Sequence, residues 1–433
     1  MHHRIARRTA LTGSAAALTA LGISSCGIGG GSSGSAGGSG EIGGSIRFQT
    51  WNLKGSYEEY FTSLIDAFTE QHPGTEIEWI DQPAEGYQDS LSADAAAGNL
   101  PDVVDMGPEA AYSLASAGML LDIAAEDSSL ESDFLPAAWE SMTFAGIDGG
   151  TYGFPWYLNT GPSFFNTALF EEAGLDPDNL PATYDELFEQ AAVMAENTSA
   201  SMIGRLPAIE TFGTYGVQLM NEEGTAFTFN EPRGVELLQK YVDLYEGQGF
   251  TEESLNALQT GELDSFKAGE LGWLPGSSYT MNELKETAPD VYETVAVAPA
   301  IADSAPNMYI ESLTVSAQSQ NRATALAFAA FVANPENQME FAKQASVFPS
   351  TAGSLDDPYF TEDDGSDEAT IRVESAQQVK EAVVWWPPAF SGESSAEYLR
   401  EQIAQAVLGQ QTPQEALDAS VEYANQRIEG EQS

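Results

Sequence analysis

The chain has 433 residues, of which 66 are acidic and 16 basic, for a formal net charge of −50. Such a charge repels nucleic acid and anionic lipid head groups and argues against both as direct partners. Hydrophobic residues at 42% and aromatics at 10% still supply a large folded core, and the single cysteine excludes an internal disulfide framework, an all-cysteine zinc site and a CxxC redox pair.

The first 44 residues read as targeting and tether. Arg4, Arg7 and Arg8 precede a short apolar, small-residue stretch, and no acidic residue occurs before Glu41. This is the pattern of a secretory signal over residues 1–25, too short in its apolar part to span a membrane. Ile23-Ser24-Ser25-Cys26 resembles a bacterial lipobox, which implies cleavage before Cys26, lipidation of its thiol and anchoring to the outer face of the cell membrane. Arg7-Arg8 is similar to a twin-arginine export signal, leaving the Tat and Sec routes both open. After cleavage the chain would keep 66 acidic and 13 basic residues, a net charge of −53. That excess suits a salty habitat or, alternatively, a cationic ligand. Residues 26–44 form a Gly/Ser-rich flexible tether, and its Gly30-Gly31-Ser32-Ser33-Gly34 matches a nucleophile elbow only formally, with no strand before it or helix after it.

The folded body starts at Ser45. SIRFQTW reads as a buried strand, and Ser56-Tyr57-Glu58-Glu59 as a capping box opening a helix that buries Tyr60, Phe61, Leu64, Ile65 and Phe68. A strand at 75–80, a helix over 86–98 and a strand at 101–106 complete an α/β unit with a parallel sheet. YGFPWYLNTGPSFFN reads as a crossover rather than a regular element. Thr183 and Glu186 form a capping box, helices are expected near 232–246 and 251–267, and strand character returns at 270–276, 291–300 and 312–317. A helix spans 321–333, residues 355–369 read as an acidic surface loop, and Thr412-Pro413-Gln414-Glu415 opens a final helix.

In this order the segments resemble the extracellular solute-binding proteins, family 1, the carbohydrate-binding lipoproteins of ABC importers that include maltose-binding protein. The likeness is carried by Phe68-Thr69-Glu70-Gln71-His72-Pro73-Gly74, Gly98-Asn99-Leu100-Pro101-Asp102-Val103-Val104 and Tyr152-Gly153-Phe154-Pro155. It continues through Phe165 to Leu175, Pro181 to Leu187, Ala268 to Trp273, Phe348-Pro349-Ser350 and Pro413 to Asp418. Two stretches depart from the pattern: Tyr184 stands where the family often has Trp, and Asn307-Met308-Tyr309-Ile310 replaces a glycine-rich segment. The resemblance implies an α/β, two-lobed periplasmic-binding-protein-like fold of type II, with hinge-connected lobes and the ligand cleft between them. It places residues 45–155 plus 300–350 in one lobe and 156–299 plus 351–433 in the other, with crossings at 153–165, 295–300 and 347–353.

Sugar recognition stacks an aromatic ring on a pyranose and hydrogen-bonds its hydroxyls with carboxylates and amides. Candidate aromatic residues are Trp51, Trp156, Tyr157, Trp273, Tyr309, Trp385 and Trp386; Trp79 and Trp139 read as core. Candidate polar residues are Asn52, Glu85, Asp105, Asn159, Ser277, Glu311 and Arg372. Beyond residue 25 the one histidine is His72, so Ser-His-Asp, Cys-His and multi-histidine zinc chemistry are excluded by inventory. No catalytic residue, cofactor or metal is expected. The expected partners are a carbohydrate ligand, the membrane subunits of an ABC permease and the lipid anchor, with no nucleic acid, and the chain is expected to be a monomer. A binding protein for a polyamine or quaternary amine, which would want an aromatic cage with carboxylates, and a carboxylate-based glycan-cleaving enzyme remain as alternatives.

Overall fold

In the computed structural model the described residues are 40–250, 253–255, 259–390 and 392–431. The signal, Cys26 and all but the last few residues of the tether lie outside them. Among the described residues no helix is long and apolar enough to cross a membrane.

Eleven strands occur among the described residues: β1 (Gly44–Trp51), β2 (Thr75–Gln82), β3 (Val103–Met106), β4 (Thr143–Phe144), β5 (Gly150–Thr151), β6 (Phe154–Asn159), β7 (Ser163–Asn166), β8 (Trp273–Pro275), β9 (Val295–Ala298), β10 (Tyr309–Val315) and β11 (Phe348–Pro349). Six of them form one sheet in the order β11-β6-β10-β3-β1-β2, and three form another in the order β8-β7-β9. β1 pairs in parallel with both β2 and β3, as the strand-helix-strand reading requires, and β10 then adds antiparallel to β3.

The helix Lys54–Gln71 buries Tyr60, Phe61, Leu64 and Phe68, as its spacing predicts, while Ile65 of the same expected face is only half-buried against them. Its start differs from the expected Ser56 capping box. The Asp81 carboxylate accepts from the amides of Leu53 and Lys54, and the helix is kinked at Tyr57. A side chain from the neighbouring strand therefore satisfies the orphan amides that a local cap would have taken. The local boxes at Thr183–Glu186 and Thr412–Glu415 form as expected. Helices Pro232–Glu246, Gln259–Lys267, Arg322–Val332 and Pro413–Glu431 lie near their expected places. The acidic loop is more structured than expected: Leu355 and Phe360 anchor it in the core.

The segment read as an irregular crossover consists of two strands. β6 lies in the six-stranded sheet between β10 and β11, β7 lies in the three-stranded sheet, and only residues 160–162 link them. Residues 156–159, expected beyond the division, thus pair with β10 and β11. The second link, 299–308, runs from β9 back to β10. Residues 347–353 do not cross. β11 pairs with β6, and Leu355, Phe360, Ala376, Val379 and Ala382 pack with Leu158 and Ile310 of the large sheet. The chain crosses afterwards, over 383–388, because Ala389 and Phe390 join the core that holds Phe227 and Phe229.

Candidate functional site

The three crossings are tied side by side. Gln378 donates through Nε2 to Thr160 Oγ1 at 2.5 Å and to the Gly161 carbonyl at 3.2 Å, and accepts the Ala300 amide on Oε1 at 3.1 Å. Asn307 accepts the Thr160 hydroxyl on its carbonyl and the Trp385 amide on Oδ1. Gly161 passes so close to the other backbone that a Cβ there would lie 1.8 Å from the Gly276 carbonyl oxygen.

Two cavities flank Tyr309, which begins β10 and is 52% exposed although walled in on both sides. The first has a volume of about 360 Å³ and is walled by Trp51, Tyr87, Tyr309 and Trp386, with Glu109 and Glu311 on its surface. Trp51 and Tyr87 lie with ring centroids 6.2 Å apart. The Tyr87 hydroxyl donates to the Asp105 carbonyl at 2.7 Å, which locks that wall. The second, about 300 Å³, is lined by Asn159, Tyr184, Arg205, Glu210, Trp273, Ser277 and Asn307. A third hollow of about 420 Å³ lies on the other side of Trp386 and is lined by Tyr112, Glu140, Trp385 and Pro388.

The first cavity is acidic at its base. Asp105 on β3 pairs in register with Leu313 of β10, which puts Glu311, two residues away, diagonally across from it. Asp105 is fully buried, and among the described residues neither of its carboxylate oxygens completes a hydrogen bond, although the Trp51 amide approaches and offsets part of the charge. Burial first, and then the charges of Glu311 and Asp81, push the Asp105 carboxyl well above the usual carboxylate range. Burial raises Glu311 to about 8 against the stabilising contacts from Asp105 and Trp51. The pair therefore retains proton near neutrality that free carboxylates would have lost. Burial, with Glu210 facing it across the cleft, raises Glu109 to about 7.

Basic side chains are scarce. Among the described residues Arg205 is the one that lines either cavity beside Tyr309, and its Nε is 2.8 Å from Glu262, a carboxylate only 2% exposed. Among the described residues no group of three or more His, Cys, Asp or Glu is placed to hold a metal ion.

Of the residues named from sequence, Trp51, Tyr309, Glu311 and Trp386 line the first cavity, and Asp105 lies behind Glu311. Asn159, Trp273 and Ser277 line the second. Trp273 donates to Ser163 on the neighbouring strand β7, and Ser277 caps the following helix, so both are held in place locally. Trp385 lines the third hollow, donates its indole N–H to the Ala305 carbonyl and packs on Gly213, where a Cβ would lie 2.5 Å from its ring.

The others sit elsewhere. Trp156 is fully buried and stacks on Phe341 at 5.2 Å, because its side of β6 faces the core. Tyr157 lies against the same Phe341 and lines neither cavity, although the charges of Asp105 and Glu311 reach its hydroxyl. Asn52 and Glu85 are exposed and line neither cavity; Asn52 has φ 54°, a turn position after β1. Arg372 donates to the Tyr359 carbonyl and stacks on the Tyr359 ring at 4.2 Å, holding a loop together outside the two cavities.

Sequence reasoning missed Tyr87, Glu109, Tyr184, Arg205, Glu210, Asn307 and Gln378. Two of these lay in stretches already marked as departures, Tyr184 and Asn307. Glu109 follows a strand end by the same rule that selected Asp105. The scarcity of arginine pointed to Arg372 and applied equally to Arg205.

Residues 54–339 match the family described as bacterial extracellular solute-binding protein. The sn-glycerol-3-phosphate-binding periplasmic protein UgpB of Pectobacterium atrosepticum is 24% identical over 425 residues, covering 86% of this chain and 89% of that one. A protein of Synechococcus sp. MITs9220, described as an oligosaccharide periplasmic-binding protein, is 25% identical with a TM-score of 0.76, over 90% of this chain and all of the other. A cyclo/maltodextrin-binding protein complexed with maltotetraose, 18% identical, shares the fold with a TM-score of 0.71 over 90% of this chain and 98% of its own. With its two-lobed α/β fold, and with the family matched over more than half its length, the chain belongs to the bacterial extracellular solute-binding proteins, the transport receptors of ABC importers.

Proposed function

We propose that the protein captures a sugar or oligosaccharide in the cleft around Tyr309 and delivers it to the membrane permease of an ABC importer. The observation that carries this is the meeting of two aromatic-walled cavities at Tyr309, where the three crossings converge. Aromatic faces flanked by carboxylates and amides suit pyranose rings, and cavities of several hundred Å³ on both sides of one ring leave room for more than one sugar unit. Hinge bending about residues 160–162, 299–308 and 383–388 would bring the two sheets together over the ligand. The glycerol-phosphate specificity of the Pectobacterium relative is not carried over: among the described residues the only basic side chain lining either cavity, Arg205, is already engaged with Glu262. A second reading, capture of a cationic solute, is favoured by the carboxylates of the first cavity.

We further propose that Cys26 carries a lipid that anchors the receptor at the outer face of the membrane. Titration calorimetry with a sugar panel, paired with small-angle scattering, tests the receptor reading. Heat of binding with compaction supports it, and turnover of an oligosaccharide in the same mixture would overturn it. A thiol reagent should fail to label protein isolated from membranes; labelling would remove the anchor.

A further inference from the structure

The first cavity gathers more carboxyl groups than a neutral sugar needs. Glu109 and Glu311 line it, Asp105 stands behind Glu311, and among the described residues no basic side chain faces it. A sugar hydroxyl can donate one hydrogen bond to Glu311, but it brings no charge that would let both buried carboxyls ionise. An ammonium can: it brings a full positive charge and up to three donors, and the faces of Trp51, Tyr87, Tyr309 and Trp386 suit a cation. Glu311 Oε2 and both Asp105 oxygens are buried without a hydrogen-bond partner among the described residues, so acceptors stand ready for it.

We infer that the ligand presents a protonated amine to Glu311 and Asp105 inside this aromatic cage, and that on the carbohydrate reading proposed above it is an amine-bearing glycoside. Other charged or titratable groups near the pair come from several elements: Asp81 on β2, Tyr87 and Glu109 on the helices that follow β2 and β3, and Tyr157 on β6. None is cationic. Proton retained by Asp105 and Glu311 in the empty protein would pass to the buffer when the ammonium binds. A neutral sugar would leave it in place.

The test is calorimetry on the purified full chain at pH 7 with a glucosamine trimer, its fully N-acetylated form, maltotriose and spermidine, each in phosphate and in Tris. The expected result is at least tenfold tighter binding of the glucosamine trimer than of its acetylated form. Its heat should differ between buffers by the proton released, and Glu311→Gln should abolish the preference. Asp105→Asn should remove the proton release while circular dichroism shows an intact fold. Equal or tighter binding of the acetylated trimer or maltotriose overturns the inference and leaves the sugar receptor standing. Binding of spermidine alone keeps the ammonium site and overturns the sugar reading. Binding of none of the four overturns both.

Discussion

Gln378 Nε2 donates to Thr160 Oγ1 at 2.5 Å while Gln378 Oε1 accepts the Ala300 amide at 3.1 Å, so one side chain binds two of the three crossings together. Gln378→Ala removes that clasp and leaves the Ala300 amide without its acceptor. The expected cost is about 1–3 kcal/mol of stability, read by denaturant unfolding. Scattering should also show a wider spread of conformations in the empty protein. An unchanged unfolding midpoint would mean that the clasp is incidental.

Gly161 permits the close approach of the first crossing to the turn that follows β8. A Cβ would have to lie 1.8 Å from the Gly276 carbonyl oxygen, a contact relieved only by moving backbone. Gly161→Ala is expected to lower the melting temperature and weaken any ligand that spans both cavities, because the strands on either side of the link would shift. Ligand affinity equal to that of the native protein would show that the close approach has no part in the cleft.

Trp51 and Trp156 should separate cleanly. Trp51→Ala removes a wall of the first cavity and is expected to reduce affinity by roughly 30-fold or more, in the range of about 2 kcal/mol or above seen for aromatic anchors. Its effect on stability should be small. Trp156→Ala opens a hole between Phe61 and Phe341 and is expected to cost about 3–5 kcal/mol, with affinity per folded molecule retained. Calorimetry and unfolding on both variants decide this, and the reverse pattern would exchange the two roles.

Acid should stabilise the empty protein. Glu109 and Glu311 are raised from 4.5 to about 7 and about 8, so the folded state holds protons that the unfolded state has released. Their contribution is complete below about pH 4.5 and is lost as pH rises through 7 and then 8. Each tenfold gain in proton affinity on folding corresponds to about 1.4 kcal/mol at most. The melting temperature from these groups should therefore fall between pH 5 and pH 8.5. Glu311→Gln should flatten that slope and stabilise the protein at pH 8.5. A native curve that rises with pH would contradict the buried-pair geometry.

The first helix is a further check on borrowed capping. Asp81→Ala removes the acceptor for the Leu53 and Lys54 amides and for the Thr50 hydroxyl. A loss of about 1–2 kcal/mol is expected, whereas Ser56→Ala should be nearly neutral. Equal losses would restore the local capping box.

Periodicity and punctuation determined a great deal without coordinates. The alternating strands, the apolar face of Tyr60, Phe61, Leu64 and Phe68 and the box at Thr183–Glu186 depend on neighbours in the chain, so local spacing suffices to read them. Trp51, Glu311 and Trp386 could be selected because strand ends and proline-rigid segments are local features as well. Tertiary structure decided what depends on partners distant in sequence. Trp156 became core because Phe61 and Phe341 close over its face of β6, 95 and 185 residues away in the numbering. Tyr87 and Glu109 became cavity walls only when β10 returned antiparallel beside β3. The third crossing fell at the paired tryptophans because residues 354–382 found their apolar partners on the large sheet. A side chain's type and spacing say what it can bury or bind. Which of these it does is settled by what the rest of the chain places against it.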